Sequence, residues 1–203
     1  GEIYNYKEIK KELIKTDITF RSSSDTEVLF YALIHFGIEE TLKKIKGMFA
    51  FAFFDSQEKK LFLARDRVGI KPLFYSIKNN TLFFSSEMKA LTTQLSFELD
   101  EIRALHSVLG ILEKSRHKTV FKNLYHIPPG SYAVFSKEGF KLNNYFKFSN
   151  LINENAYNKR KKVSFQENLE EFKHLFDQSV KRMLMSDAPM GAYVSGGIDS
   201  SLI

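Results

Sequence analysis

The residues best suited to chemistry form one run near the end of the chain, Ser195-Gly196-Gly197-Ile198-Asp199-Ser200-Ser201. Residues 191–194, just before it, are short and mostly apolar, which predicts a buried strand. At Ser-Gly-Gly the backbone can turn sharply and come close to a ligand. Asp199, Ser200 and Ser201 then offer capping groups for a following helix. Strand, glycine-rich turn and helix start together collect unpaired N–H groups around an anion. The hydroxyls of Ser195, Ser200 and Ser201 add neutral donors, so a phosphate fits. The run has no lysine and does not follow G-x-x-x-x-G-K-[ST], which argues against a loop that transfers a γ-phosphate. Asp199 would repel phosphate unless a cation lay between them, and that points to Mg²⁺.

These residues need a scaffold. Ser164-Phe165-Gln166-Glu167 has capping-box spacing, and Leu169, Phe172, Phe176, Val180 and Met183 then form one apolar helical stripe, read as core. Ser186-Asp187-Ala188-Pro189 ends that helix and turns the chain into the final strand. Upstream, Tyr6, Ile9 and Leu13 recur at helical spacing. Ser24-Asp25-Thr26-Glu27 reads as a capping box opening a second helix, with Gly37 at its stop and a short third helix over 38–45. Residues 47–55 read as one strand, apolar on both faces and so covered on both sides, with small alanines that let another layer approach. Further strands are expected at 61–65, 73–76 and 81–85, with turns at 66–69 and 78–80. Helices are expected at 88–91 and 102–109, a charged surface loop at 113–118, and a turn at Pro128-Pro129-Gly130 followed by a hairpin of 131–136 and 140–146. Residues 148–163 are rich in Asn and Lys without a period and read as a linker. Aromatic strands flanked by helices make a layered α+β sandwich. The expected division is a first domain over 1–147, a linker over 148–163, and the start of a second domain over 164–203.

With 203 residues, 43% of them hydrophobic, the chain can bury one full core and begin a second. No stretch approaches the length of a membrane span. The net charge of +6 is spread through Lys–Glu mixtures. Its densest run, Lys159-Arg160-Lys161-Lys162, lies in the polar linker without a nucleic-acid-binding motif and reads as solvated surface. The absence of cysteine permits a reducing compartment. His35, His106, His117, His126 and His174 have no metal-ligand spacing and read as structural or surface residues. Gly1 opens directly into a patterned segment and Ile203 stops where a helix should begin, so the chain is read as an internal piece of a longer one.

Ser-Gly-Gly-Ile-Asp-Ser-Ser resembles the pyrophosphate loop of the ATP pyrophosphatases, which cut ATP between the α- and β-phosphates and adenylate a substrate. Six further motifs occur in order: Gly1-Glu2-Ile3-Tyr4-Asn5, Ser24-Asp25-Thr26-Glu27-Val28, Gly47-Met48-Phe49-Ala50-Phe51-Ala52, Ala64-Arg65-Asp66-Arg67-Val68-Gly69-Ile70-Lys71-Pro72-Leu73, Ser86-Glu87-Met88-Lys89-Ala90-Leu91 and Ser186-Asp187-Ala188-Pro189. With the loop they resemble the glutamine-hydrolysing asparagine synthetases over nearly the whole chain.

That resemblance implies a class II glutaminase domain, an N-terminal-nucleophile αββα sandwich lacking its start, followed by the first helix, strand and phosphate loop of an ATP-pyrophosphatase domain. The nucleophilic cysteine and an arginine-containing stretch for the substrate carboxylate would lie upstream of Gly1. By motif position, Gly1 would give a backbone N–H to the oxyanion hole, Glu2 would contact glutamine, and Asp25 would bind its α-amino group. Val194 would lie along the nucleotide. Ser195, Gly196, Gly197, Asp199, Ser200 and Ser201 would hold ATP and pyrophosphate, with Asp199 on Mg²⁺. Glutamine, aspartate and ATP are the implied partners. Neither nucleic acid nor membrane is expected, the location is cytoplasmic, and a homodimer is left open. Read from the residues alone, Asp25 also suits a helix start, where a carboxylate favours the macrodipole. Arg65, Asp66 and Arg67 suit a domain interface and a buried ion-pair turn equally. Three alternatives stay open: a β-lactam-synthetase-like or sugar-acid-amidating enzyme, a synthetase using free ammonia, and a non-catalytic nucleotide-binding module.

Overall fold

The structure, a computed structural model, describes residues 1–16, 18–111, 117–186, 189 and 191–203. In chain order its elements are β1 (Glu2–Ile3), α1 (Tyr6–Ile14), α2 (Asp25–Lys44), β2 (Gly47–Met48), β3 (Ala50–Asp55), β4 (Lys60–Arg65), β5 (Phe74–Lys78), β6 (Thr81–Ser85), α3 (Met88–Thr92), α4 (Glu101–Val108), β7 (Tyr125–His126), β8 (Ser131–Ser136), β9 (Gly139–Asn144), α5 (Glu154–Arg160), α6 (Phe165–Met183) and α7 (Ile198–Leu202), with a 3₁₀ turn at Phe148–Leu151.

Side-chain alternation sorts these elements into four layers. The strands β3, β4, β8 and β9 form one antiparallel sheet in that order; β6, β5 and β7 form a second. On β4, Ala64 joins a core with Ile9, Leu13, Val28, Ala32 and Leu42 from α1 and α2. Its neighbour Leu63 points the other way, into a core with Leu73, Tyr75, Ile127 and Ala133 shared by the two sheets. Both are fully buried, as a central strand covered on each face requires. Ala50 of β3 packs into that inter-sheet core and admits the second layer there, but Ala52 and Phe54 of the same strand are exposed, Phe54 at 57%, so the expected cover on both sides of 47–55 fails where β3 runs along the sheet edge. Beyond the second sheet, Phe74 and Phe83 meet Leu91 of α3. Helices, sheet, sheet, helix is the αββα sandwich.

Local chemistry explains most of the elements. Ser24 opens α2 by accepting the Thr26 N–H, and the helix breaks at Gly37, whose φ of 75° no helix tolerates. The expected second and third helices are the two sides of that break. Asn79 and Asn80, at φ 50° and 57°, make the two-residue turn between β5 and β6, where Lys78 pairs with Thr81. The capping box at Ser164 and Glu167 forms in full.

Five further expectations need correction. The strand over 47–55 is two strands: β2 pairs with β1, β3 pairs with β4, and Phe49 sits between them bonded to Asp66. Ser24 and Glu27 do not form a capping box, because the Glu27 carboxylate turns outward to Arg21 and Ser22. The aperiodic segment 148–163 contains α5, opened by Asn153 accepting the Ala156 N–H; it lacks apolar period because it buries no face. The α6 stripe is uncovered, with Phe172 62% exposed, so that helix contributes no core among the described residues. Residues 191–194 make no strand ladder there either, since a strand needs a neighbour to pair with. The charged loop expected at 113–118 falls largely outside the described residues, as do Asp187 and Ala188 of the Ser-Asp-Ala-Pro turn.

Candidate functional site

The start of β1, the first turn of α1 and the loop leading into α2 enclose a cavity of about 310 Å³. Its lining includes Glu2, Tyr6, Asp25 and the three serines Ser22, Ser23 and Ser24, together with Met185 and Ser186. The sequence therefore brings Glu2 and Asp25 to one place from positions far apart in the chain. A direct bond holds them there: the Ile3 N–H donates to Asp25 Oδ2 at 2.8 Å. Thr26 Oγ1 donates to Asp25 Oδ1 at 3.3 Å. Asp25 thus occupies the first turn of α2, where the macrodipole favours it, and also pins β1. Two carboxylates and, among the described residues, no basic side chain line the cavity. That balance suits an ammonium group and supplies no cationic partner for a carboxylate.

Gly1 does not line the cavity; its role is visible one step behind. A Cβ on Gly1 would come within 2.7 Å of the Met48 carbonyl oxygen and 2.9 Å of Phe49 Cα. A Cβ on Gly47 would collide with the Glu2 carbonyl oxygen. Two glycines therefore let β1 and β2 lie close enough to place Glu2. Both obstacles are backbone, which cannot swing away as a side chain can. Gly47→Ala is expected to cost about 1–3 kcal/mol, read by urea denaturation. An unchanged midpoint would show that β1 does not seat on β2 this way.

Behind β2 stands Asp66, 0% exposed. Its Oδ1 accepts the N–H groups of Val68, Gly69 and Ile70 at 3.2, 2.7 and 3.0 Å. Oδ2 accepts those of Phe49 and Lys71 at 3.3 and 2.9 Å. Arg65 turns away from it and donates to the carbonyls of Lys71, Ile127 and Gly69. Burial holds the Arg65 pKa below its usual value. Arg67 donates to the Lys43 carbonyl and lies over the Phe146 ring. Tyr145 donates to the Arg65 carbonyl, and burial pushes its phenol up. Of the two readings open for this triplet, the buried turn is what forms, but its carboxylate is satisfied by amides and makes no ion pair with either arginine among the described residues. The turn signal was in the sequence, Asp at the first position and Gly three residues later. What could not be read was that the carboxylate also reaches Phe49.

The loop at 195–201 is built largely from its own hydroxyls. Ser195 Oγ and Ser200 Oγ share a hydrogen bond of 2.9 Å. Gly197 N–H donates to Ser195 Oγ at 3.4 Å, and Ser200 and Ser201 donate to the Gly197 carbonyl at 3.1 and 2.8 Å. Gly196 has φ 77°, a conformation side chains rarely adopt. The N-cap of α7 is Gly197 and no side chain caps it, so Asp199, Ser200 and Ser201 do not fill the capping role expected of them. Val194 and Asp199 are exposed. Asp199 is the loop's one carboxylate, and no cluster of three metal-ligating side chains exists among the described residues. That donor set fits Mg²⁺ carried mainly by phosphate oxygens and water, and does not fit a metal held by the protein alone.

His117 and His126 behave as structural groups. His117 packs on Tyr125 and bonds Tyr75, and His126 stacks near Phe74. Burial lowers both histidine pKa values and pushes the Tyr75 phenol up to about 12.

The glutamine amidotransferase domain family matches residues 1–146, and the asparagine synthase family matches residues 171–203. The chain is similar to asparagine synthetase (glutamine-hydrolysing) 3 of Bacillus subtilis, at 34% identity over 205 residues, covering 100% of this chain and 32% of the relative. It is also 28% identical over 203 residues to an amidase of Gibberella zeae, covering 100% of this chain and 29% of that protein. Among solved structures, glutamine phosphoribosylpyrophosphate amidotransferase from B. subtilis shares the fold, with a TM-score of 0.50 at 22% identity over 71% of this chain and 27% of that one. The chain spans about a third of the length of the curated relatives it matches.

Proposed function

The chain belongs to the glutamine amidotransferase domain family, and from that premise we propose that it supplies the glutamine site and the opening of the nucleotide site of an ATP-dependent amidotransferase. Glutamine would be hydrolysed to glutamate and ammonia at the first site. At the second, ATP and the side-chain carboxylate of aspartate would give an acyl-adenylate and pyrophosphate, and ammonia would displace AMP to form asparagine. One observation carries the first half: Glu2 and Asp25 face one cavity with no opposing basic group among the described residues. A free amino acid brings an ammonium, and a fixed carboxylate is its natural partner. Asp25 would take that ammonium, Glu2 would face the rest of the substrate, and the Gly1 N–H would stabilise the oxyanion of the reacting amide.

At the second site Ser195, Gly196, Gly197, Ser200 and Ser201 would cradle the pyrophosphate, Val194 would lie along the nucleotide, and Asp199 would hold Mg²⁺ against it. The metal supplies charge neutralisation when bound. The hydroxyls already bonded across the loop would exchange internal partners for phosphate oxygens, so little new ordering is needed. The reading places the domain division within residues 148–163.

A second acceptor is favoured by one finding. The chain matches an amidase over its whole length as well as asparagine synthetases, which supports keeping another carboxylate as the acceptor.

Asp25→Asn in the full-length protein tests the proposal. Loss of a charge-assisted contact costs about 1.5–3 kcal/mol, roughly ten- to a hundredfold in glutamine kcat/KM. Ammonia-dependent synthesis should be unchanged. If both activities fell together, Asp25 would be acting through its bond to Ile3 and not through substrate.

A further inference from the structure

One wall of the cavity has no conventional support. Residues 18–24 make no backbone-to-backbone hydrogen bond among the described residues, yet Ser22, Ser23 and Ser24 form the rim facing Glu2 and Asp25. The chain there is held by side chains. Glu27, one turn into α2, accepts the Arg21 N–H at 2.8 Å with Oε1. Its Oε2 accepts the Ser22 N–H at 2.7 Å and the Ser22 hydroxyl at 2.6 Å. The Ser22 hydroxyl in turn accepts the Ser24 N–H at 3.2 Å, and the Ser24 hydroxyl accepts the Thr26 N–H at 3.1 Å. From the other side Lys10 donates to the Ser22 carbonyl at 3.0 Å while lying over the Phe20 ring. A single carboxylate therefore holds Arg21 and Ser22 directly and Ser24 through the Ser22 hydroxyl, so the two ends of the serine rim are fixed on either side of Ser23.

We infer that Glu27 is a positioning residue for the glutamine site: it does not touch substrate, but it sets the serine wall against which a small amino-acid amide is held. The inference rests on the cavity being that site. Its geometry departs from a cap. A capping glutamate reaches back to the N-cap amide, whereas Glu27 reaches past Ser24 to residues 21 and 22. Those bonds do nothing for the helix end and everything for the loop. Amide donors on both oxygens also hold the carboxyl below the usual carboxylate range, so the relay stays charged through neutral pH.

The split between binding and turnover is the informative readout. Removing the relay loosens the wall in the free enzyme, so substrate must order it on binding. That raises KM and leaves the reacting groups in place. In the full-length protein, Glu27→Ala is expected to raise the glutamine KM about tenfold, with glutaminase kcat and ammonia-dependent synthesis within about twofold of the parent. Glu27→Gln keeps an acceptor for Arg21 but turns a donor toward the Ser22 N–H, so its KM should fall between the two. Glutamine KM, kcat and thermal midpoint would be measured for Glu27→Ala, Glu27→Gln and Asp25→Asn together. An unchanged KM in both Glu27 variants, with Asp25→Asn still impaired, overturns the positioning role and leaves the site assignment intact. A parallel fall of kcat, ammonia-dependent synthesis and thermal midpoint also overturns it, in favour of a purely structural role. Normal glutamine use by Asp25→Asn overturns the site assignment and this inference with it.

Discussion

Asp66→Ala is expected to destabilise the protein by about 3–5 kcal/mol, because it strips the shared acceptor from five backbone N–H groups gathered around one buried carboxylate. Five backbone N–H groups point at that carboxylate, which is 0% exposed. A folded domain has only about 5–15 kcal/mol in hand. For a chain of this size the loss corresponds to roughly 6–20 °C in thermal midpoint. Asparagine should not rescue. Its oxygen could keep the three donors on Oδ1, but its NH₂ would then face the N–H groups of Phe49 and Lys71, two donors meeting a donor. The consequence reaches the candidate glutamine site by contact. Phe49 is the residue whose Cα lies where a Gly1 side chain would be, so freeing Phe49 frees the surface on which β1 sits. Glu40→Ala, which breaks an exposed pair with Lys43, is the control and should leave the midpoint unchanged. Equal midpoints for Asp66→Ala and the parent would mean that water replaces the carboxylate without cost.

How much of this was legible in the sequence depends on the range of the interactions. Elements fixed within a few residues were readable. The Ser164 capping box, the Asn79-Asn80 turn and the break at Gly37 all follow from local backbone chemistry. The layered α+β sandwich also came through, because aromatic strands flanked by helices can be satisfied in few ways, and the motif resemblance supplied its αββα form. Burial on both faces, expected for 47–55, fails along β3, which is an edge strand, and is met on its neighbour β4. The Glu27 relay was not readable, since S-x-x-E spacing is compatible with a cap and with a loop clamp. Only the path of residues 20–22 decides between them. Nor was the split of the strand at Phe49, because a strand's sequence does not say when its partner changes. The α6 stripe shows the limit differently. Periodicity states which face of that helix is apolar, and Phe172 and Phe176 do stack on it, but nothing in the pattern states what covers it. The two carboxylates at the cavity were named by motif position, while the bond joining Ile3 to Asp25 is tertiary and had to be seen.

Asp199→Asn is expected to abolish ATP- and Mg²⁺-dependent synthesis in the full-length protein, with glutamine and with ammonia alike. A carboxylate in an anion site is tolerable only with a cation between it and the phosphates. The substitution keeps the shape and removes the charge that would hold the ion. Losing a metal-holding or charge-stabilising group at a reacting centre costs roughly a hundredfold or more. Basal glutamine hydrolysis without ATP should persist, because the glutamine site proposed around Glu2 and Asp25 is the other one. The competing view is that Asp199 merely favours the start of α7 through the macrodipole, worth about 0.3–1 kcal/mol. The loop's bonding weakens that view: Ser200 and Ser201 bond the Gly197 carbonyl, no side chain caps the helix, and Asp199 makes no side-chain hydrogen bond to any described residue. A carboxylate that does nothing for its own loop is free for a ligand outside it. Pyrophosphate release measured against Mg²⁺ concentration separates the two views. A helix-start role predicts the parental Mg²⁺ dependence and kcat in the folded protein, and that result would remove Asp199 from the metal site.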